Sequence, residues 1–401
     1  MVREIIISLY LFIFKWIFNL FNLLPLKDKT TFVVSFGDNS EYVFEEMRRQ
    51  GIQNDVVFLC KGKSRSIFES YDSVTLLSFE STNVIETVKS IYHLATSKQI
   101  VIDNYFGFLA VTDFKKGVEC IQLWHATGAI KKFGLQDKSV EYRSERAVRR
   151  FKSVYRKFDK VVVGSDIMAT IFKEAFDLED ANFIKTGIPR TDFFFNEEKK
   201  QTAIQRLISE NKILSEKKVI LYAPTYRDNE LKQFKMKLDL EKLHSELGEE
   251  YILLLRLHPA VRFTEDYTKK YPEFVFDYSS GDYHINELLL VSDLLITDYS
   301  SIPYEYSLLG RPMIFFTFDL ETYKQERGIW DGFEQGLPGP IAMDTNTIIQ
   351  IILKGQYDYN LISDYSNTWN KYSIGHSSYN VVRYLYGEKL TEPKRQKDIQ
   401  T

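Results

Sequence analysis

Cysteine is nearly absent. The chain holds two, Cys60 and Cys120, far apart and in apolar surroundings. They form no metal-ligand spacing and no disulfide framework, and both read as buried thiols of a reducing compartment, the cytoplasm. Glycine (19) and proline (10) are too few for a fibrous or low-complexity chain of 401 residues, and no internal repeat is present. A strong charge of one sign is lacking too: a formal net charge of -3 argues against a general nucleic-acid binder, while leaving room for a local basic patch. No Asp-x-Asp pair and no histidine–carboxylate cluster suggests a divalent-ion site. What is there is a globular composition, 44% hydrophobic and 27% charged, long enough for two domains and rich in aromatics, with 30 Phe and 25 Tyr.

The segment from Ile5 to Leu24 is nearly all Ile, Leu, Phe, Trp and Tyr. Twenty helical residues span about 30 Å, enough to cross a bilayer. No small-residue cleavage site follows, and Leu24-Pro25-Leu26-Lys27 leads straight into a strand, which argues against a secretory signal. The polar exceptions Glu4, Ser8, Lys15, Asn19 and Asn22 fall within an arc of about 60° at roughly 100° per residue. A spanning helix has no reason to align them. A helix lying in the membrane interface does, with Lys15 facing the lipid phosphates and the rest immersed. Packing on the protein's own core is the third reading. The expectation is an amphipathic interface helix over residues 1–28.

After Lys29, short apolar runs alternate with helical segments. Strands are predicted at Thr31–Ser35, Val56–Leu59, Ile100–Ile102, Cys120–Trp124 and Lys160–Val163, with helices such as Tyr42–Arg49 and Val84–Ala95 between them. The second half repeats the style at Val219–Ala223, Tyr251–Leu257, Phe274–Asp277, Leu294–Thr297 and Met313–Phe316. Short buried strands alternating with helices indicate parallel sheets. The Lys- and Glu-rich stretch Asn196–Lys218 reads as a helix and the passage between domains. The expected fold class is α/β with GT-B architecture: two Rossmann-like parallel-sheet domains, 29–200 and 201–385, facing a cleft and followed by a polar tail, 386–401. Ligands of such sheets bind at the carboxyl ends of the strands.

Three such ends in the second half carry chemistry. Leu294–Thr297 runs into Asp298-Tyr-Ser300-Ser301 and a predicted helix Ile302–Leu309, with Pro303 in its first turn and Gly310 as its stop. Ser300 and Ser301 then sit at a helix N-terminus, where amides, hydroxyls and the dipole suit a diphosphate. An ordinary serine N-cap fits the same residues. Asp298 would orient the turn, since a bare carboxylate repels phosphate. The strand at Tyr251 delivers Arg256-Leu-His258-Pro259, in which His258 can donate to a departing phosphate, and Arg256, Arg262 and Arg311 are candidate guanidinium groups. Tyr222-Ala-Pro-Thr225-Tyr-Arg227 repeats the strand-then-loop arrangement and adds Thr225 and Arg227.

In the first half, Cys120–Trp124 is followed by the turn His125-Ala-Thr-Gly128. His125 would face the cleft from the opposite domain, where a neutral imidazole can take a proton from an acceptor hydroxyl. A lone histidine also reads as a structural one. Residues 131–160 hold eleven basic groups against four acids, a local excess of seven positive charges. With a membrane-binding N-terminus in the same domain, Arg146, Arg149 and Arg150 join Lys15 as candidates for anionic headgroups or a lipid pyrophosphate. A solvated face is the plainer alternative.

Taken together, these segments resemble the CDP-glycerol glycerophosphotransferases that build wall teichoic acid. The matching pieces are Gln122-Leu-Trp-His125-Ala-Thr-Gly-Ala-Ile-Lys-Lys-Phe-Gly134, Tyr222–Arg227, Leu255–Pro259, Thr297–Ser301, Gly310–Phe316, Phe318–Tyr323 and Gly336–Pro340. Within the family the chain is most similar to the primase branch, through its compact length, its apolar N-terminal segment, Ile102-Asp-Asn-Tyr105 and Ala126-Thr127. The resemblance implies that His125 is the base, and that His258 with Ser300 and Ser301 holds the diphosphate of CDP-glycerol. It also implies a cytidine pocket in the second domain and peripheral attachment to the inner face of a Gram-positive membrane. The implied acceptor is an undecaprenyl-diphosphate-linked disaccharide. No cofactor or metal is expected to be required, nucleic acid is not a partner, and other teichoic acid enzymes are candidate neighbours. Three rival expectations stand: a glycerol- or ribitol-phosphate polymerase, a nucleotide-sugar glycosyltransferase, and a non-catalytic lipid- or polymer-binding protein.

Overall fold

The computed structural model describes residues 2–227, 234–258, 261 and 265–387. Pro259, Arg262 and the tail from residue 388 lie outside the described residues. The first sheet is formed by β1 (Lys27–Val34), β2 (Asp55–Cys60), β3 (Thr75–Ser78), β4 (Ser97–Ile102), β5 (Glu119–Gln122), β6 (Lys160–Val162) and β7 (Phe183–Ile184). All of its pairings are parallel, in the order β3-β2-β1-β4-β5-β6-β7. The second sheet is formed by β8 (Lys218–Ala223), β9 (Tyr251–Leu255), β10 (Val275–Asp277), β11 (Leu294–Thr297), β12 (Met313–Phe316) and β13 (Ile341–Ala342), again parallel, in the order β10-β9-β8-β11-β12-β13. This is two doubly wound sheets. Runs such as Ile100–Ile102 and Ile252–Leu255 are buried throughout because helices cover both faces.

Each sheet reverses its strand order once, between β1 and β4 in the first and between β8 and β11 in the second. Loops leaving neighbouring strands there diverge to opposite faces and open a crevice at the carboxyl ends. Three edge strands, β3, β7 and β13, were not expected from the sequence; each carries only two apolar residues, too few to show a period. Two predicted strands end two residues early, and those at Thr31 and Lys160 end one residue early. β5 stops at Gln122 because Trp124 takes a left-handed backbone, φ 58°, and β9 stops at Leu255, where Arg256 begins the turn.

The final helix, Ser377–Tyr386, lies within the expected second domain yet packs on the first. Val381 and Val382 enter the core beside Phe32 and Phe58, and the Asp192 carboxylate accepts the Ser377 and Ser378 amides at 2.8 Å each. A carboxylate on two orphan amides of a helix start is a strong cap. It fastens the returning chain to the first domain.

The N-terminal helix, Val2–Phe21, has three sides. Phe14 and Phe18 are buried against the first domain, with Tyr10, Ile17 and Phe21 packed alongside. Burying two such rings stabilises the docked helix by about 1.5–3 kcal/mol each. The opposite side leaves Ile5, Ile6, Leu9, Phe12, Ile13, Trp16 and Leu20 exposed, Trp16 at 68%. The polar arc lies along one flank between these two apolar sides. The core-packed reading therefore describes one side of the helix, while the opposite side stays apolar and exposed.

Candidate active site

A cleft of about 620 Å³ lies between the two sheets and is lined from both. His125, His258, Thr225, Arg256, Ser300 and Ser301 all line it. Arg227, Asp298 and Arg311 do not.

The wall formed by the first domain is built around Asp103, at the end of β4. Its carboxylate accepts the amides of Ser35, Phe36 and Gly37 at 2.9 Å each, which shapes the loop leaving β1. Burial pushes this carboxyl up to about 6, against the pull of those three amides. The Asp103 carbonyl lies 3.1 Å from Nδ1 of His125. A carbonyl only accepts, so Nδ1 carries the proton and the lone pair of Nε2 is left for a substrate. The imidazole is sandwiched between Phe36 (ring centroids 4.1 Å apart) and Trp124 (4.3 Å). Burial lowers its pKa to about 4 and keeps it neutral at physiological pH.

The His125 turn is held by residues that sequence reasoning missed. Asn39 donates to the Trp124 carbonyl at 2.9 Å, and its own Oδ1 accepts the Arg190 amide at 3.0 Å. Arg190 donates to the His125 carbonyl at 2.8 Å and grips Glu305 of the second domain at 2.6 and 3.1 Å. Asp38 lies 3.6 Å from Arg190 and 3.6 Å from His284 of the second domain. These bonds offset the cost of a left-handed Trp124, on the order of 1–3 kcal/mol. A signal for Arg190 existed: Gly187-Ile-Pro-Arg190 leaves a strand end just as Arg256-Leu-His258-Pro does.

The wall formed by the second domain is more open. His258 is exposed to the cleft, its ring 4.7 Å from that of Tyr226, and partial desolvation with the charges of Lys131 and Arg256 lowers its pKa. Ser300 Oγ accepts the Ile302 amide at 3.0 Å, whereas Ser301, at the cap position, makes no side-chain bond to the helix. The α-helix there is short, Ile302–Tyr306, and continues as a 3-10 turn to Leu309. Asp298 accepts the amides of Thr225 (2.8 Å) and Tyr299 (2.7 Å), so it shapes the turn. Thr225 Oγ1 has no partner among the described residues. A bound phosphate oxygen would satisfy it.

Arg227, Arg256 and Arg311, expected at the site, each have partners within the protein among the described residues. Arg227 is engaged by Asp319 (3.0 and 2.9 Å), Asp298 (2.7 Å) and the Thr225 carbonyl, so it braces the loops behind the cleft. Arg256 reaches the cleft, but its guanidinium donates to the carbonyls of Tyr278 and Ser280 at 2.6 Å each. Arg311 is turned away and donates to the carbonyls of Leu290 (2.8 Å) and Ser292 (2.7 Å), closing the end of helix Ile285–Val291. Of the lipid candidates, Arg150 holds Glu4 at 3.0 and 3.3 Å and so pins the N-terminal helix. Arg149 pairs loosely with Glu145 (3.4 Å), while Lys15 and Arg146 are exposed.

The domains also meet through backbone. Lys131 bridges Ile329 in antiparallel fashion, with Lys132 N to Gly328 O at 3.1 Å and Trp330 N to Ile130 O at 3.0 Å. Beneath this strap Ile130 packs with Tyr299, Tyr304 and Tyr323. Gly128 lies so close to the Tyr304 ring that an added Cβ would sit 2.5 Å from it.

Two doubly wound sheets facing one another, with a histidine on each lip of a diphosphate-sized cleft, define a GT-B-type enzyme. Residues 17–387 match the family described as CDP-Glycerol:Poly(glycerophosphate) glycerophosphotransferase, and the chain belongs to that family. A teichoic acid glycerol-phosphate primase of Bacillus subtilis (strain 168) is 35% identical over 384 residues, covering 96% of this chain and 98% of the relative. A teichoic acid poly(ribitol-phosphate) polymerase of Bacillus spizizenii is 34% identical over 390 residues, covering 95% of this chain but 60% of the relative. The solved structure of the wall teichoic acid polymerase TagF superimposes with a TM-score of 0.76 at 25% identity, covering 97% of this chain and 98% of that one. Family and relatives together assign the enzyme class, a CDP-glycerol transferase of teichoic acid synthesis.

Proposed function

We propose that the enzyme is a teichoic acid primase. It passes one glycerol phosphate from CDP-glycerol to the N-acetylmannosamine of an undecaprenyl-diphosphate-linked disaccharide and releases CMP. The observation that carries the chemistry is the single cleft lined by His125 and His258 from opposite domains. The primase branch is supported by a primase relative matched along nearly its whole length.

In the proposed step, Nε2 of His125 accepts the proton of the acceptor hydroxyl as its oxygen attacks the phosphorus that bears glycerol. The new P–O bond forms in line with the breaking bond to the bridging oxygen, which departs with CMP. His258 and the Ser300–Ser301 turn stabilise the charge on the phosphates. No metal ion is needed for this, so chelation should leave the rate unchanged. The apolar side of helix Val2–Phe21 enters the cytoplasmic leaflet, with Lys15 and Arg146 at headgroup level.

The test is to incubate the protein with CDP-glycerol and the lipid-linked disaccharide and to weigh the product. One added unit with stoichiometric CMP supports the reading; a ladder of units makes the enzyme a polymerase, and no CMP sinks both. For the membrane, Phe12→Glu with Trp16→Glu should abolish flotation with anionic vesicles while leaving the fold intact. Unchanged flotation would refute that placement.

A further inference from the structure

Arg227, Arg256 and Arg311 are each held by acceptors of the protein itself, which raises the question of what else meets the negative charge of a diphosphate. Lys131 lines the cleft but belongs to the first domain. Its ammonium lies 5.9 Å from the ring centroids of both Tyr226 and Tyr323, which are residues of the second domain. The Tyr226 ring in turn neighbours that of His258, and the charge of Lys131 is felt there as a pull on the imidazole's pKa. Lys131 therefore reaches the donor side of the cleft from the acceptor side.

Its backbone is not free to wander. The bridge to Ile329, with its two flanking hydrogen bonds, fixes the main chain at this point. Lys138 adds to the hold by donating to the Lys324 and Gln325 carbonyls, the latter at 2.6 Å, near the end of helix Leu320–Arg327. His125 and Lys131 sit on one segment leaving β5, so the strap sets both relative to the second domain at once.

We propose that Lys131 is a catalytic residue that contacts the diphosphate of the nucleotide donor and stabilises the negative charge gathering on the nucleotide phosphate as it leaves. This rests on the donor reading above. A compact ammonium suits phosphate oxygens as a point charge, and the two aromatic faces beside it favour a cation in that place. Because Lys131 comes from the acceptor domain, it is aligned with the donor only while the strap is formed.

The experiment compares Lys131→Met and Lys131→Arg with wild type in binding cytidine, CMP and CDP-glycerol, and in kcat for CMP release with the lipid-linked disaccharide. Lys131→Met should bind cytidine as wild type does and should lose about tenfold in affinity for CDP-glycerol, the scale of one charge-assisted hydrogen bond. Its kcat should fall about 10²-fold, as when one transition-state donor is removed, and Lys131→Arg should recover most of it. Equal weakening of all three ligands would show a merely structural lysine and overturn the proposal. So would wild-type kcat and affinity in Lys131→Met. A wild-type enzyme that neither binds nor turns over CDP-glycerol would instead sink the donor reading itself.

Discussion

The two walls of the cleft solve one problem in different ways. Each places an aspartate at the end of the strand beyond the reversal point, Asp103 after β4 and Asp298 after β11, and each uses it to hold the loop leaving the first strand of its sheet. Asp298 is neutralised by Arg227, which Asp319 also grips. Among the described residues no cation pairs with Asp103; it is met by amides alone. The second wall is thus held by ion pairs and presents hydroxyls, while the first holds its carboxylate with amides and presents a neutral imidazole between two aromatic rings. A base must be unprotonated to act, and a phosphate site must be polar. The electrostatics of the two walls match those two tasks.

The most direct way to break this comparison is to remove the imidazole of the first wall. His125→Asn should lower kcat by about 10²–10⁴-fold, the range for a lost general base, with CDP-glycerol affinity unchanged because the donor rests on the other wall. CMP release at the wild-type rate would end His125's role. His258→Ala probes the second wall and should cost about 10²–10³-fold in kcat with weaker donor binding. If both variants lost donor affinity alike, the division of labour would be wrong.

Arg190 tests how the walls are joined. Both it and Glu305 are nearly buried, so Arg190→Met strands a carboxylate that is 2% exposed. Breaking such a pair from one side costs on the order of 3–5 kcal/mol, readable by urea unfolding. The turn carrying His125 also loses its clamp, so kcat should fall while KM for CDP-glycerol holds. An equally stable, equally active variant would show that the pair fixes nothing.

Much of this was legible in the sequence, and the exceptions share a cause. Turns that leave strand ends announce themselves by their residues, so His125, His258, Ser300 and Ser301 were located before any coordinates. Ten strands were legible as apolar runs, whereas Thr75–Ser78, Phe183–Ile184 and Ile341–Ala342 carry only two apolar residues each. The partners of the arginines were not legible, because a guanidinium goes to whichever carbonyls or carboxylates the fold leaves unmet, and those are remote in sequence: Asp319 lies 92 residues from Arg227. The polar arc of the first helix was read correctly as a stripe, but a stripe does not say which neighbouring side meets protein. Glu4, a member of that arc, holds Arg150 of the first domain.

Arg311 sharpens the same lesson with a smaller effect. Arg311→Met should leave CDP-glycerol affinity and kcat unchanged, since its guanidinium closes a helix end. It should lower stability by about 1–3 kcal/mol, because buried carbonyls lose their donor. Any selective loss of donor binding would return Arg311 to the site.

The smallest effect concerns the centre of the first wall, where two groups titrate in opposite senses. His125 has a folded pKa of about 4 against an ordinary 6.5, so between those values the unfolded chain binds more protons, and stability is lost as pH falls. Asp103 has a folded value of about 6 against an ordinary 3.8, so there the folded chain binds more protons, and its contribution is lost as pH rises through 6. Acidifying from 6.5 to about 4.5 therefore draws on one term while supplying the other. His125→Asn should lose less stability over that window than wild type, and Asp103→Asn should lose more, measured as the change in unfolding midpoint. Identical losses in all three proteins would mean that neither group is shifted. The neutral state assigned to His125 would then have no support from titration.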